Sequence, residues 1–109
     1  MSLTQLKKRK LDDFLVMINI IKMEVNVEYE ERVCKKDFYL FIGINILGKK
    51  RCLTYGINYR EDTEFWLQKF KEIKRRGVED VLYISTPELM QMRRSAQLAF
   101  KDVINRASY

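Results

Sequence analysis

Apolar and polar residues alternate in the first third of the chain. From Met23 to Glu30 every second residue is apolar, and the residues between them are Glu or Asn. A period of two predicts a strand with one buried face and one wet, acidic face. The apolar run Phe14–Ile18 indicates that this strand begins as early as Phe14. Upstream, leucines at mixed helical spacing predict a short helical extension over residues 1–13.

Two further strands are predicted downstream. The segment Phe38–Ile46 is apolar on both faces, which is typical of a central strand that is covered on both sides. Leu47–Lys50 is a short polar connection that contains a glycine, as hairpin turns do. Arg51–Tyr59 follows as a third strand. Three strands joined by short turns predict an antiparallel meander.

The pattern changes to helical spacing after Asp62. An apolar stripe lies on one helical face, Asp62 is the predicted N-cap, and Gly77 supplies the C-terminal stop. The stripe consists of Trp66, Leu67, Phe70 and Ile73. Its aromatic side chains, with Phe65, could stack on nucleic-acid bases, but this spacing favours a place in the core.

A strand and a last helix complete the predicted order. Val81–Ile84 is a short buried strand, and the helix before it favours parallel pairing with the meander. Ser85–Glu88 contains an N-cap residue and a proline, and predicts a helix that runs to about Asn105. Its predicted inner stripe is Leu89, Met92, Ala96, Ala99 and Val103. Met90 and Met92 fit flexible packing or a self-association surface.

Composition limits the function classes. The chain has 109 residues, of which 47% are hydrophobic and 33% charged, so we expect one α/β (α+β) domain over residues 1–109. No apolar stretch approaches the roughly 20 residues that span a bilayer, and a signal peptide is not expected, so we expect a cytoplasmic protein without membrane contact. No small-molecule substrate is evident.

Histidine is absent, which excludes histidine-based triads and mixed Cys/His zinc sites. The two cysteines, Cys34 and Cys52, lack CxxC spacing, and we expect both to be reduced.

The formal net charge of +6 is compatible with binding to phosphate backbones. Two basic clusters are the candidate DNA contacts, and they consist of Lys7, Lys8, Arg9 and Lys10, and of Lys69, Lys71, Arg75 and Arg76. The alternative for the second cluster is a solvated helix face with favourable cations in its last turn. Glu72 within this cluster favours that alternative.

Three segments resemble mutator-type transposases, a family similar to other DDE enzymes. They are the apolar strand and basic turn of Phe38–Lys50, the aromatic-Trp-Leu helix start in Asp62–Leu67, and the Arg-Gly-Val segment with acidic residues and an aliphatic strand in Ile73–Leu82. The resemblance implies a ribonuclease-H-like fold, in which a meander, a helix and a parallel strand follow one another. It also implies a role in DNA transposition and recombination, with magnesium or manganese as the metal.

The same resemblance implies catalytic carboxylates that this chain lacks. If Lys22 matches the family's lysine, the first aspartate falls at about Met17, with Asn19 as the only polar neighbour. The second belongs to an aspartate–glycine pair after the parallel strand, where the chain has Ser85–Glu88. The third lies beyond the end of the chain. We therefore assign no catalytic residue, no metal ligand and no bound cofactor.

Glu24 and Glu88 are acids that could substitute for the missing pair. The alternative is that Glu24 lies on a solvated strand face and that Glu88 stabilises a helix N-terminus. Ligand geometry tolerates little displacement, which favours the alternative.

Two hypotheses follow from the sequence. The first is a transposase-derived domain, catalytically inactive, with weak and sequence-indifferent DNA binding. The second is a structural module that self-associates through a sheet edge or the last helix, and under either hypothesis we expect a homodimer.

Overall fold

A five-stranded mixed sheet and two helices make up the part of the chain that the computed structural model describes, residues 13–59, 63–87, 89–100 and 104–107. The elements are β1 (Phe14–Tyr29), β2 (Arg32–Ile44), β3 (Lys50–Ile57), α1 (Glu64–Arg75), β4 (Asp80–Thr86), α2 (Leu89–Ala99) and β5 (Ile104–Ala107). The helical extension predicted for residues 1–13 and the basic run Lys7–Lys10 fall almost wholly outside the described residues; Asp13 alone is described, as a bend.

The sheet has the order β3-β2-β1-β4-β5. β1 pairs antiparallel with β2, and β2 with β3, which confirms the predicted meander. β4 lies on the other side of β1 and is parallel to it, as the helix crossover predicts. The structure is therefore a mixed α+β arrangement with a single sheet.

The predicted end of the chain is wrong. α2 ends at Ala99 rather than near Asn105, and Ile104–Ala107 form a fifth strand parallel to β4. Apolar residues at helical spacing continue past Ala99, which is why the sequence predicts a longer helix. Pairing with the edge of β4 gives Ile104–Ala107 backbone hydrogen bonds that this spacing cannot predict. The predicted inner residue Val103 lies outside the described residues.

The core lies between the two helices and one face of the sheet. Trp66 and Phe70 of α1 are fully buried against Tyr39 and Phe41 of β2. The ring centroids of Tyr39 and Trp66 are 4.5 Å apart, and those of Phe41 and Phe70 are 6.0 Å apart in an edge-to-face arrangement. Phe100, which directly follows α2, joins this layer, and its ring lies 6.2 Å from that of Phe70. The aromatic residues of α1 are thus core residues, as their spacing predicts.

No described element covers the opposite face of the sheet, which we call the open face. On β1 it carries Met17, Asn19, Ile21 and Met23, which alternate with the buried Ile18 and Ile20. The residues opposite them on β2 are Ile44, Ile42, Leu40 and Phe38. A cavity of about 340 Å³ lies on this face, near the β2–β3 turn.

β1 and β2 extend beyond their other neighbours. β4 pairs with β1 only as far as Asn19, and β3 pairs with β2 only from Phe38 onwards. Residues 24–37 therefore form a two-stranded ribbon that projects from the sheet.

The turn at the tip of the ribbon has an unfavourable backbone conformation. Glu30 and Glu31 have φ angles of 53° and 62°. Positive φ at both central residues is the geometry of a type I′ turn, which favours Asn-Gly. Two glutamates adopt it here at a conformational cost.

Candidate nucleic-acid interface

The geometry of α1 separates the basic residues of the second cluster into two groups. α1 begins after Thr63, which serves as N-cap without a side-chain hydrogen bond, while the predicted cap Asp62 lies outside the described residues. Burial of Trp66, Phe70 and Ile73 fixes the rotation of the helix. Side chains next to this stripe touch the sheet, and those opposite it point to solvent.

Lys69 lies against the sheet. Its Nζ is 3.5 Å from Glu72 Oε2 and 5.8 Å from the centre of the Phe65 ring. A Cβ at Gly56 would lie 2.7 Å from Lys69 Cε, so the absence of a side chain there makes room for the lysine. The Lys69 side chain is only 17% exposed. These contacts give Lys69 a role in packing α1 on β3.

Arg76 also belongs to this contact. Its Nη1 donates a hydrogen bond to the carbonyl oxygen of Leu53. Burial lowers the pKa of the Arg76 guanidinium, while the Glu72 carboxylate and Cys52 act in the opposite direction. Glu72 in turn accepts a hydrogen bond of 3.0 Å from the hydroxyl of Thr54, which is fully buried. We call Thr54, Lys69, Glu72 and Arg76 the polar clamp.

Lys71 and Arg75 are exposed on the outer side of α1. Lys74 lies between them on the same helix, and its Nζ donates a 2.8 Å hydrogen bond to the carbonyl oxygen of Ala99 in α2. This bond joins the C-terminal ends of the two helices. The outer sides of α1 and α2 therefore form one surface.

Two further cations on this surface were missed from the sequence. Arg93 and Arg94 are exposed on α2, while their neighbours Met92, Ser95 and Ala96 are buried. Their exposure could have been predicted, because both arginines lie between Met92 and Ala96 of the predicted inner stripe and therefore on the outer side of the helix. We call Lys71, Lys74, Arg75, Arg93 and Arg94 the helical basic face.

Met92 is fully buried in the core. Of the two alternatives for Met92, packing and a self-association surface, its burial supports packing, and the Met90 side chain lies outside the described residues. Cys34 and Cys52 are half-buried thiols and are not joined in a disulfide.

The parallel pairing of β1 and β4 brings together the positions at which the resemblance implies carboxylates. Asn19 lies opposite Ser85, and Met17 lies opposite Tyr83. Met17, the expected place of the first acid, thus lies on β1 two residues before Asn19. Asn19 lies opposite Ser85, the first residue of the segment that is expected to hold the second acid.

Glu24 is remote from this place. It lies on the ribbon, five residues beyond Asn19, which is about 16 Å along an extended strand. Its Oε1 is 3.7 Å from the Nζ of Lys35. Glu88 lies outside the described residues.

Comparison with known proteins identifies the family. Residues 2–107 match the sequence profile of a family described as "Transposase, Mutator family". The chain belongs to the Mutator family of transposases. It is also 28% identical over 78 residues to a "Probable transposase for insertion sequence element" from Corynebacterium diphtheriae. That match covers 72% of this chain and 23% of the relative, so the chain matches about a quarter of the relative's length.

The divalent metals implied for the Mutator family do not fit the residues where the first part of β1 lies beside the end of β4. Magnesium and manganese prefer several oxygen ligands, with carboxylates among them. Asn19 and Ser85 offer one neutral oxygen each, and Met17 and Tyr83 beside them are weak ligands. Within residues 13–59, 63–87 and 89–100, no group of three acidic or cysteine side chains is placed to hold a metal ion. Neither described helix is long and apolar enough to cross a membrane.

Proposed function

We propose that this Mutator-family domain is a catalytically inactive, transposase-derived module that binds DNA weakly and without sequence preference. The single observation that carries the DNA contact is the helical basic face. Family membership supports a transposase-related role, and the relative's description as a probable transposase agrees with it.

The proposal includes a ribonuclease-H-like core for this domain. Its support is the meander β1–β2–β3, the crossover helix α1, and the parallel strand β4 beside β1. In this arrangement the first part of β1 and the end of β4 are neighbours, which is where the resemblance implies the first two acids. The chain carries Met17 at the first place and Ser85 at the start of the second, with Asn19 opposite Ser85, so we propose that strand cleavage is lost.

The helical basic face suits phosphate contact because its cations lie on two rigid, adjacent helices. Among the described residues of α1 and α2, Glu64 is the only exposed acid, and it lies at the opposite end of α1 from Arg75. Lys69 and Arg76 are engaged in the polar clamp, so Lys71, Arg75, Arg93 and Arg94 carry the proposed contact. The basic run Lys7–Lys10 remains a proposed second contact.

The test is the salt dependence of binding to a labelled duplex. Each phosphate contact contributes about −0.9 to the slope of log K against log salt concentration. Lys71→Ala with Arg75→Ala should weaken binding equally for unrelated sequences and make the slope shallower by about 2. An equal decrease in the steepness of the slope for Arg93→Ala with Arg94→Ala would show that both helices contact DNA.

A matched control removes two exposed cations on the ribbon, Arg32→Ala and Lys35→Ala. This variant loses the same net charge but should keep the slope of the unmodified chain. If the Arg32→Ala/Lys35→Ala variant loses as much DNA affinity as the Lys71→Ala/Arg75→Ala variant, net charge rather than the helical basic face is responsible. If the unmodified chain does not bind duplex DNA at low salt, the proposed DNA contact is wrong.

A further inference from the structure

The turn between β2 and β3 presents two large apolar side chains to solvent. Ile46 is 73% exposed and Leu47 is 75% exposed. A single exposed apolar residue is common on a protein surface, but turns favour Gly, Asn, Asp and Ser, and two adjacent aliphatic residues at the end of a turn are unusual. We call Ile46 and Leu47 the apolar pair.

The turn keeps its shape without the side chains of the apolar pair. The Asn45 side-chain oxygen Oδ1 accepts hydrogen bonds of 3.0 Å from the backbone N–H groups of Leu47 and Lys49. The backbone N–H of Asn45 donates to the carbonyl oxygen of Lys49, and that of Gly48 donates to the carbonyl oxygen of Asn45. Gly48 has a φ of 79°, which glycine adopts readily. The turn therefore depends on Asn45 and Gly48, and its folding does not account for the apolar pair.

The surroundings of the apolar pair are basic. Lys49 and Lys50 follow it and are exposed, and Arg51 beside them is half-buried. The segment between Asp37 and Glu61 contains no acidic residue. An apolar pair among cations is complementary to a ligand with a negatively charged surface and stacked apolar rings between its charges. Duplex DNA has this character.

The turn lies at the same end of the molecule as the C-terminal end of α1. Met17, near the start of β1, lies opposite Ile44, which comes just before the turn. β4 is parallel to β1 and begins shortly after α1 ends. The hydrogen bond from Arg76 to the carbonyl oxygen of Leu53 joins the end of α1 to β3. The cations of the helical basic face on the last turns of α1 are therefore at this end of the molecule too.

The acidic side chains at this end lie away from the turn. Asp13, Glu79 and Asp80 are exposed at the starts of β1 and β4. The backbone N–H groups of Glu79 and Asp80 both donate to the carbonyl oxygen of Asp13, which holds the three residues together. β4 is two strands away from β2 in the sheet, about 10 Å, and α1 ends against β3 on the other side. The acids therefore do not come between the apolar pair and the end of α1.

We propose that the apolar pair inserts from the minor groove between two base pairs of the duplex that the helical basic face holds, and so bends it. This inference rests on the proposed DNA contact, because two side chains alone are too small to hold a duplex. Apolar side chains that enter the minor groove partly unstack a base step and kink the DNA toward the major groove. A kink at the turn lets the duplex follow the protein surface from the turn to the cations of α1. Insertion reads no base edge, so it is compatible with binding that has no sequence preference.

Insertion should favour DNA whose bases are easily unstacked. Unstacking costs least at a mismatched base pair. We expect the unmodified chain to bind a duplex with one mismatched pair at least about fivefold more tightly than the matched duplex of the same sequence. The salt slope should be the same for both duplexes, because insertion adds no phosphate contact.

The test is Ile46→Ala with Leu47→Ala, measured on these two duplexes. The variant should bind both duplexes equally and should lose the bend, which energy transfer between dyes at the two DNA ends measures. It should also lose the rise in fluorescence of a 2-aminopurine placed beside the mismatch, which reports unstacking. Its salt slope should remain that of the unmodified chain, because no charge is removed. Lys71→Ala with Arg75→Ala should show the reverse, a shallower slope with the preference for the mismatch retained.

Val33→Ala is the matched control for the loss of exposed apolar surface. Val33 is 78% exposed and lies beside the turn of the ribbon, at the opposite end of β2 from the apolar pair. This substitution should leave the preference, the bend and the salt slope unchanged. Circular dichroism and the fluorescence of the buried Trp66 show that each variant is folded.

Four results would overturn the inference. They are equal affinity of the unmodified chain for the two duplexes, an unbent duplex in the complex, an Ile46→Ala/Leu47→Ala variant that keeps the preference and the bend, and a variant that loses only binding to anionic phospholipid vesicles. The last result would assign the apolar pair to a membrane surface. A chain that binds duplex DNA with the expected salt slope but does not bend it contradicts this inference alone, whereas a chain that does not bind duplex DNA at low salt contradicts the proposed function as well.

Discussion

At the scale of single residues, the polar clamp determines how α1 lies on the sheet. Thr54 is fully buried, and its hydroxyl donates to Glu72, which also lies beside Lys69. A buried hydroxyl needs such a partner, because leaving it without a hydrogen bond costs about 1–3 kcal/mol. The clamp thus explains why two of the four basic residues in the second cluster face inward. The sequence could not reveal this, because Thr54 and Glu72 are 18 residues apart.

Thr54→Val removes the donor while keeping the shape of the side chain. We expect the free energy of unfolding to fall by about 1–2 kcal/mol, because Glu72 loses a hydrogen bond in a half-buried place. Urea unfolding, monitored by the fluorescence of Trp66, measures this free energy. Thr63→Val is the matched control, since Thr63 is exposed and makes no side-chain cap hydrogen bond, and its effect should stay within about 0.5 kcal/mol. Equal effects of the two substitutions would contradict the role of the clamp.

At the scale of elements, the strands and the first helix with strong periodicity were predicted from the sequence, and so were the antiparallel meander and the parallel pairing of β4 with β1. The length of β2 was not predicted: it begins at Arg32 rather than Phe38, because its first residues pair with β1 in the ribbon. β5 was missed because the helical stripe of α2 continues in the sequence, and only the free edge of β4 makes a strand more favourable there. The exposure of Arg93 and Arg94 on α2 could have been predicted, because neither belongs to the apolar stripe of that helix.

The turn of the ribbon offers a test at this scale. Glu30→Asn with Glu31→Gly should raise the free energy of unfolding by about 1 kcal/mol or more, because both residues then suit positive φ. Thermal or urea unfolding measures the change.

Glu30→Gln with Glu31→Gln is the control for the loss of charge at this turn. It keeps the backbone cost and should change stability by less than about 0.5 kcal/mol. A gain in the glutamine variant equal to that of the Asn-Gly variant would show that charge repulsion, and not backbone strain, destabilises the turn.

At the scale of the whole molecule, one sheet separates two surfaces of different character. The helical basic face lies on the outer side of the helices, and the apolar open face lies on the other side of the sheet. The family was predicted from the segments Phe38–Lys50, Asp62–Leu67 and Ile73–Leu82, and the match over residues 2–107 confirms it. β1 carries Met17 and Asn19 beside the end of β4, where Ser85 lies opposite Asn19. The absence of carboxylates at these three residues is the basis for the proposed loss of catalysis.

The central claim is that this Mutator-family domain contacts DNA without cleaving it, and one measurement tests it most directly. The chain is incubated with supercoiled plasmid and manganese or magnesium, and nicking is followed while calorimetry records metal binding to the same preparation. The account predicts that the plasmid is bound but stays supercoiled, with no stoichiometric uptake of metal. Metal binding at a fixed stoichiometry together with nicking would contradict it, and would show that carboxylates elsewhere in the chain form a working metal site.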